Sequence, residues 1–91
     1  MTYIDAARNA LTAQLPGQDP YLLDLYLLLA LVKGPAVTRA DVHEAWAIRR
    51  SRTDPNHPHL VPFADLPPEV QDLDQAFADA IATVGSKEAI A

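Results

Sequence analysis

The chain has 91 residues, which is enough for one folded domain and too few for two. Apolar residues make up 49% of it and charged residues 21%, a globular composition that excludes a disordered chain. The formal net charge of −5 argues against a protein whose main task is to neutralise nucleic-acid phosphates. Cysteine is absent, which excludes disulfides, thiolate metal sites and a cysteine nucleophile.

Four helices are predicted from their start and stop signals. Thr2 and Thr38 each precede an aspartate by three residues, the spacing of a capping box. Asp19 is a good N-cap, and Pro20 suits the first position of the helix that follows it. The first two predicted helices run from about Tyr3 to Gln14 and from Pro20 to Lys33. The third follows the cap Thr38 to about Arg50, and the fourth opens at Pro67-Pro68.

Helix 2 is the predicted centre of the fold. From Tyr21 to Val32 it is apolar on every side of the helical wheel and allows only Asp24 as an exception. A helix that is apolar all round must be buried. It is also too short for the roughly 20 residues that a membrane span needs. We therefore expect a helical bundle built around it and no contact with a membrane.

A proline-rich strap is predicted between helices 3 and 4. Pro55, Pro58 and Pro62 interrupt the chain from Ser51 to Leu66 and favour extended backbone. The strap should be ordered, because its later residues are too apolar for a free linker. Helix 4 then carries an apolar stripe that faces the core, composed of Val70, Leu73, Phe77, Ile81 and Val84. Gly85 is expected to end it, leaving residues 86–91 as a frayed tail.

Residues 40–82 resemble a known family, the RyR domain, a small repeat of ryanodine receptors that is also found in bacterial and phage proteins. The resemblance is carried by Val42-His43-Glu44-Ala45-Trp46, His57-Pro58, Leu60-Val61-Pro62-Phe63, Leu66-Pro67 and Asp74. It implies a mostly helical module for interactions or ligand sensing, and it transfers no catalytic residue. The whole chain is similar to small actinobacterial and actinophage proteins with an RyR-like C-terminal half. Such an accessory protein is expected in the cytoplasm of the bacterium or of the phage host, because Met1 to Leu15 lack the features of a secretory signal.

A polar clip between helices 3 and 4 is predicted from the position of Asp74. On the helical wheel of helix 4, Asp74 lies on the same face as the apolar stripe. A carboxylate on this face needs a charged or hydrogen-bonding partner. Arg49, Trp46 and His43 of helix 3 are the expected partners, and they would lower the pKa of Asp74. Trp46 is expected to be buried between helix 3, the strap and helix 4.

Two further clusters bear on function. His43, His57 and His59, with Glu44 and Asp54, could suggest a metal, but their spacing matches no site signature, so we expect no metal and no cofactor. His57 and His59 flank Pro58 in an extended strap, so their side chains should point to opposite sides. A second cluster, composed of Arg49, Arg50 and Arg52, could hold an anionic ligand such as a nucleotide, or offset the dipole where helix 3 ends.

The sequence therefore predicts an all-α, four-helix domain that acts as a non-enzymatic binding module. A protein partner or self-association is its expected use. Two alternatives remain open: a sensor of an anionic small ligand at Arg49 to Arg52, and a helix-turn-helix-like DNA binder with helix 3 as recognition helix. The acidic net charge weighs against nucleic acid.

Overall fold

The computed structural model describes the backbone of residues 2–90 and the side chains of residues 2–87. Over this part the fold is of the all-α class, as predicted, and contains no β-strand. The helices are α1 (Tyr3–Gln14), α2 (Pro20–Lys33), α3 (Arg39–Thr53), α4 (Pro68–Asp72) and α5 (Gln75–Ile90), and two short 3-10 turns cover Gly34–Ala36 and Phe63–Asp65.

The first three helices begin at the predicted caps. Thr2 Oγ1 accepts the N–H of Asp5, whose carboxylate accepts the N–H of Thr2 in return. Thr38 and Asp41 form the same capping box at the start of α3, and the carboxylate of Asp19 caps α2. The predicted bounds of helices 1 and 2 are confirmed, and helix 3 ends three residues later than predicted.

The core is formed by α1, α2, α3 and α5. Its fully buried side chains include Leu11, Val42, Ile81 and Val84. The prediction that helix 2 is buried on every side is wrong. Tyr21, Leu28 and Val32 remain 41%, 55% and 67% exposed, because the neighbouring helices leave this face of α2 open. A domain of this size buries only about 60% of the surface of its unfolded chain and cannot surround a helix completely.

Gly85 lies inside α5 and does not end it, so this prediction is also wrong. A Cβ atom at position 85 would lie 2.5 Å from the carbonyl oxygen of Gly34. Gly34 itself has a positive φ of 58° and follows α2, as predicted. Gly85 therefore allows α5 to cross closely over the end of α2. Ala91 of the predicted frayed tail lies outside the described residues, and the backbone before it is helical to Ile90.

The fourth predicted helix is divided into α4 and α5 by a turn at Leu73 and Asp74. The amides of these residues donate to Val70 and Gln71, three positions back, instead of four. The stripe predicted for a continuous helix is broken as a result. Ile81 and Val84 are buried, whereas Leu73 is 68% exposed.

The strap between α3 and α4 is ordered by hydrogen bonds. Its turns are closed by backbone bonds from His57 to Asp54, from Leu60 to His57 and from Asp65 to Pro62. The side chain of Gln71 in α4 donates to the carbonyl oxygens of Phe63 and Leu66, at 3.1 Å each. Leu66 is buried. These contacts fasten the end of the strap to the start of α4.

None of the described helices is long and apolar enough to cross a membrane.

Candidate functional site

A cleft of about 730 Å³ opens between α2, α3, the strap and the turn that joins α4 to α5. Its volume is in the range of sites that bind small molecules. Apolar and aromatic side chains line it together with charged and polar ones. The apolar and aromatic residues are Leu22, Tyr26, Trp46, Val70, Leu73 and Phe77, and the polar ones are Gln18, Asp19, His43, Arg49, Arg50, Thr53, His57, His59 and Asp74.

One face of α3 forms a side of the cleft. His43, Trp46, Arg50 and Thr53 follow at the spacing of a single helical face. The His43 ring stacks on Trp46 with 5.6 Å between centroids, and the Arg50 guanidinium lies 5.7 Å from the centroid of the indole. Trp46 is half-buried, where full burial was predicted, because the cleft leaves part of its ring open.

The strap brings two histidines to the same cleft. His57 and His59 have ring centroids 5.2 Å apart, and His57 Nδ1 accepts the N–H of His59 at 3.0 Å. The prediction that these two histidines point to opposite sides is wrong. It assumed an extended backbone, whereas the strap turns at this point, since the N–H of Leu60 donates to the carbonyl of His57.

His43 is buried and has a structural bond. Its Nε2 lies 2.7 Å from the carbonyl oxygen of Val61, and because a carbonyl only accepts, Nε2 is the donor. This bond fastens the strap to α3. In the part of the chain that the structure describes, no three histidine or acidic side chains are grouped to hold a metal ion.

Arg49, one of the three partners predicted for Asp74, pairs with Asp19 instead. Its Nε and Nη2 donate to the two carboxylate oxygens of Asp19 at 2.8 and 3.2 Å. These bonds, together with the N–H of Leu22, lower the pKa of Asp19 to about 2, and the same pairing raises the pKa of Arg49. The pair joins α3 to the start of α2.

Asp74 lies in the turn between α4 and α5, half-buried at the cleft. Burial raises the pKa of its carboxyl group, and the charges of His43 and Arg39 oppose this effect more weakly. No described residue donates a hydrogen bond to this carboxylate. The structure therefore brings the four residues of the predicted clip to one cleft, but the clip itself is wrong, and so is the predicted lowering of the pKa of Asp74.

The basic cluster is divided between two surfaces. Arg49 and Arg52 lie over the ring of Tyr21, at 6.0 and 5.3 Å from its centroid, whereas Arg50 lies over Trp46. Arg52 does not line the cleft. Because Arg49 also lines the cleft but is paired with Asp19, Arg50 is the arginine of the cleft that has no acidic partner among the described residues.

Tyr26 and Phe77 are site residues that the sequence analysis assigned to the core alone. Their rings lie 5.9 Å apart at 38°, and both line the cleft. Burial and the nearby charge of Asp74 raise the pKa of Tyr26 to about 12. The hydroxyl of Tyr26 in a mostly apolar helix was the sequence feature that could have indicated a site. A buried tyrosine needs a polar neighbour or an opening to solvent for this hydroxyl.

The fold and the cleft define a small all-α domain with a mixed aromatic and charged site on its side. The chain belongs to the family described as a domain of unknown function (DUF7701), which matches residues 2–86. No curated protein and no solved structure matches it. The resemblance to the RyR domain stays a prediction.

Proposed function

We propose that this protein is a non-enzymatic binding module and that the cleft is its binding site. The observation that carries the proposal is the lining, in which aromatic rings and opposite charges face one space of about 730 Å³. Sites of this volume and mixed composition are typical of small-molecule recognition. An RyR-like sensing role agrees with such a site.

Binding is favoured over catalysis because several polar groups of the cleft, including two of its histidines and its only hydroxyl-bearing threonine, are engaged in holding the fold. His43 bonds to the strap, His57 accepts from the backbone, and Arg49 pairs with Asp19. The hydroxyl of Thr53 donates to a carbonyl of its own helix. A general base or nucleophile needs a group free to act on a substrate.

Trp46 provides the test, because it is the only tryptophan and lines the cleft. Aromatic amines, aromatic carboxylates, nucleotides and uncharged aromatic compounds would each be titrated at up to millimolar concentration. We expect at least one class to change the fluorescence of Trp46 and to raise the melting temperature, as a ligand of the folded state must. If no class of compound changes the fluorescence or raises the melting temperature, the cleft is not a small-molecule site.

An anionic ligand at Arg50 is the second candidate. Within the described residues Arg50 has no acidic partner, whereas Arg49 is paired with Asp19. Arginine binds phosphate and carboxylate through paired donors. Replacing Arg50 with Ala should then weaken the binding of ATP, and replacing Arg52 should not, because of these two residues Arg50 alone lines the cleft. Equal effects of the two variants would indicate unspecific attraction by surface charge.

DNA binding has less support. Val42 and Ala45 of α3 are in the core, and the outer side of this helix forms a groove with Leu60, Val61 and Pro62 of the strap. A recognition helix needs an open face to enter the major groove. A protein partner, self-association and a cytoplasmic location stay predictions, which affinity capture from the native host and light scattering of the purified protein would check.

A further inference from the structure

Asp74 is the carboxylate of the cleft that the fold leaves without a donor. The other one, Asp19, receives hydrogen bonds from Arg49 and from the N–H of Leu22. No described residue donates to Asp74, although it is half-buried beside the apolar part of the lining. A carboxylate in such a place is costly unless a donor or a positive charge reaches it.

The basic side chains near Asp74 do not donate a hydrogen bond to it. Arg39 donates to Asp72 at 2.9 Å, and His43 has its Nε2 bonded to the carbonyl of Val61. Both act on Asp74 only through space, and burial outweighs their effect on its pKa. The carboxylate is therefore available to a group that enters the cleft from outside.

Aromatic rings line the same cleft as this carboxylate. Tyr26 is close enough to Asp74 for the charge of the carboxylate to raise the pKa of the tyrosine. Its ring lies 5.9 Å from that of Phe77. Trp46 lines the same cleft, stacked on His43. Aromatic faces attract cations, and a carboxylate among them strengthens the attraction.

We propose that the cleft binds a small organic amine in its protonated form, with Asp74 as counter-ion and the rings of Tyr26, Phe77 and Trp46 against its apolar body. This inference rests on the proposed function and adds the class of ligand. An anion is disfavoured at this position because it would meet the charge of Asp74. Arg50 lies seven residues from His43 along α3, about 10 Å away, and is the lining residue that could accept an acidic group.

Three compounds with the same phenyl ring and different end groups test the proposal. They are 2-phenylethylammonium, 2-phenylethanol and 3-phenylpropanoate, titrated against the fluorescence of Trp46 and against amide NMR shifts of residues in the cleft. We expect the amine to bind more tightly than the other two. Asp74→Asn should weaken its binding on the order of tenfold, and Asp65→Asn, an exposed aspartate away from the cleft, should leave it unchanged.

The outcomes separate this inference from the proposed function. If the alcohol or the acid binds as tightly as the amine, or if Asp74→Asn binds the amine as well as the parent does, the inference is overturned while the cleft remains a ligand site. If none of the three compounds binds, the inference is also overturned, and the wider panel of ligand classes decides the proposed function. The melting temperatures of both variants confirm that they are folded.

Discussion

Arg49 and Asp19 join the C-terminal part of α3 to the cap of α2 by two hydrogen bonds, from Nε at 2.8 Å and from Nη2 at 3.2 Å. The same carboxylate accepts the N–H of Leu22 at the start of α2. Asp19 is thus a helix cap and the partner of an arginine thirty residues away in the sequence. One side of the cleft depends on this connection, because both residues line it.

Replacing Asp19 with Ala should lower the melting temperature at pH 7 by several degrees, because the cap and the partner of Arg49 are lost together. The folded pKa of Asp19, about 2, is below its ordinary value of 3.8. Its charge therefore stabilises the fold above pH 4, and this contribution is lost as the pH falls toward 2. Thermal unfolding followed by circular dichroism at pH 7 and pH 2.5 measures both effects. Equal melting temperatures of variant and parent at pH 7 would show that the hydrogen bonds between Arg49 and Asp19 do not stabilise the fold.

Gly85→Ala should destabilise the protein by about 1 to 3 kcal/mol or more, as overpacking does. Helix propensity alone predicts the reverse, a gain of about 1 kcal/mol for alanine over glycine. Steric repulsion should dominate, because the new Cβ atom would lie 2.5 Å from the backbone oxygen of Gly34. Ser86→Ala in the same helix is the control, since Ser86 is exposed and its loss should be nearly neutral. Urea denaturation compares the two, and a stabilised Gly85→Ala would show that the helices do not cross so closely.

Asp74→Asn should be as stable as the parent at pH 7 or slightly more stable, the opposite of what a structural clip predicts. Burial raises the folded pKa of Asp74 above its unfolded value. The group therefore favours the folded state below its unfolded pKa, and this contribution disappears as the pH rises through the folded pKa. The effect is modest, because the side chain is only half-buried and solvent screens it. Chemical denaturation at pH 7 and pH 4 tests it, and a clear loss of stability at pH 7 would restore the clip. Carboxylates held at some expense of stability are typical of functional sites.

Trp46→Ala should cost about 1 to 3 kcal/mol, less than the 3 to 5 kcal/mol of a fully buried aromatic residue. The ring is half-buried, but it contacts His43 and lies at right angles to His57, with 5.1 Å between centroids. Trp46→Phe keeps an aromatic ring in the same place and should recover most of the loss. Equilibrium unfolding in urea, followed by circular dichroism, provides the comparison. A cost as large as that of a core residue would mean that the cleft is closed in solution.

The sequence by itself determined where the first three helices begin, because the signals for a helix start are local. Capping boxes at Thr2 and Thr38 and the aspartate cap at Asp19 are interactions within a single turn, and each was found where the spacing predicts it. Gly34 and Pro35 likewise ended α2 at the predicted residue. The periodic apolar positions Ile81 and Val84 also indicated which face of α5 is buried.

Only the tertiary structure decided the partners and the site. Asp19, Arg49 and Asp74 had several possible partners, and the choice among them depends on how the helices cross, which a pattern along one helix does not contain. Gly85 was predicted to end a helix. The contact that requires glycine there is with the backbone of Gly34, fifty-one positions earlier in the chain, and the local sequence does not reveal it. The cleft exists because the turn at Asp74 and the turns of the strap place their side chains beside α3, and such a space depends on packing between distant segments.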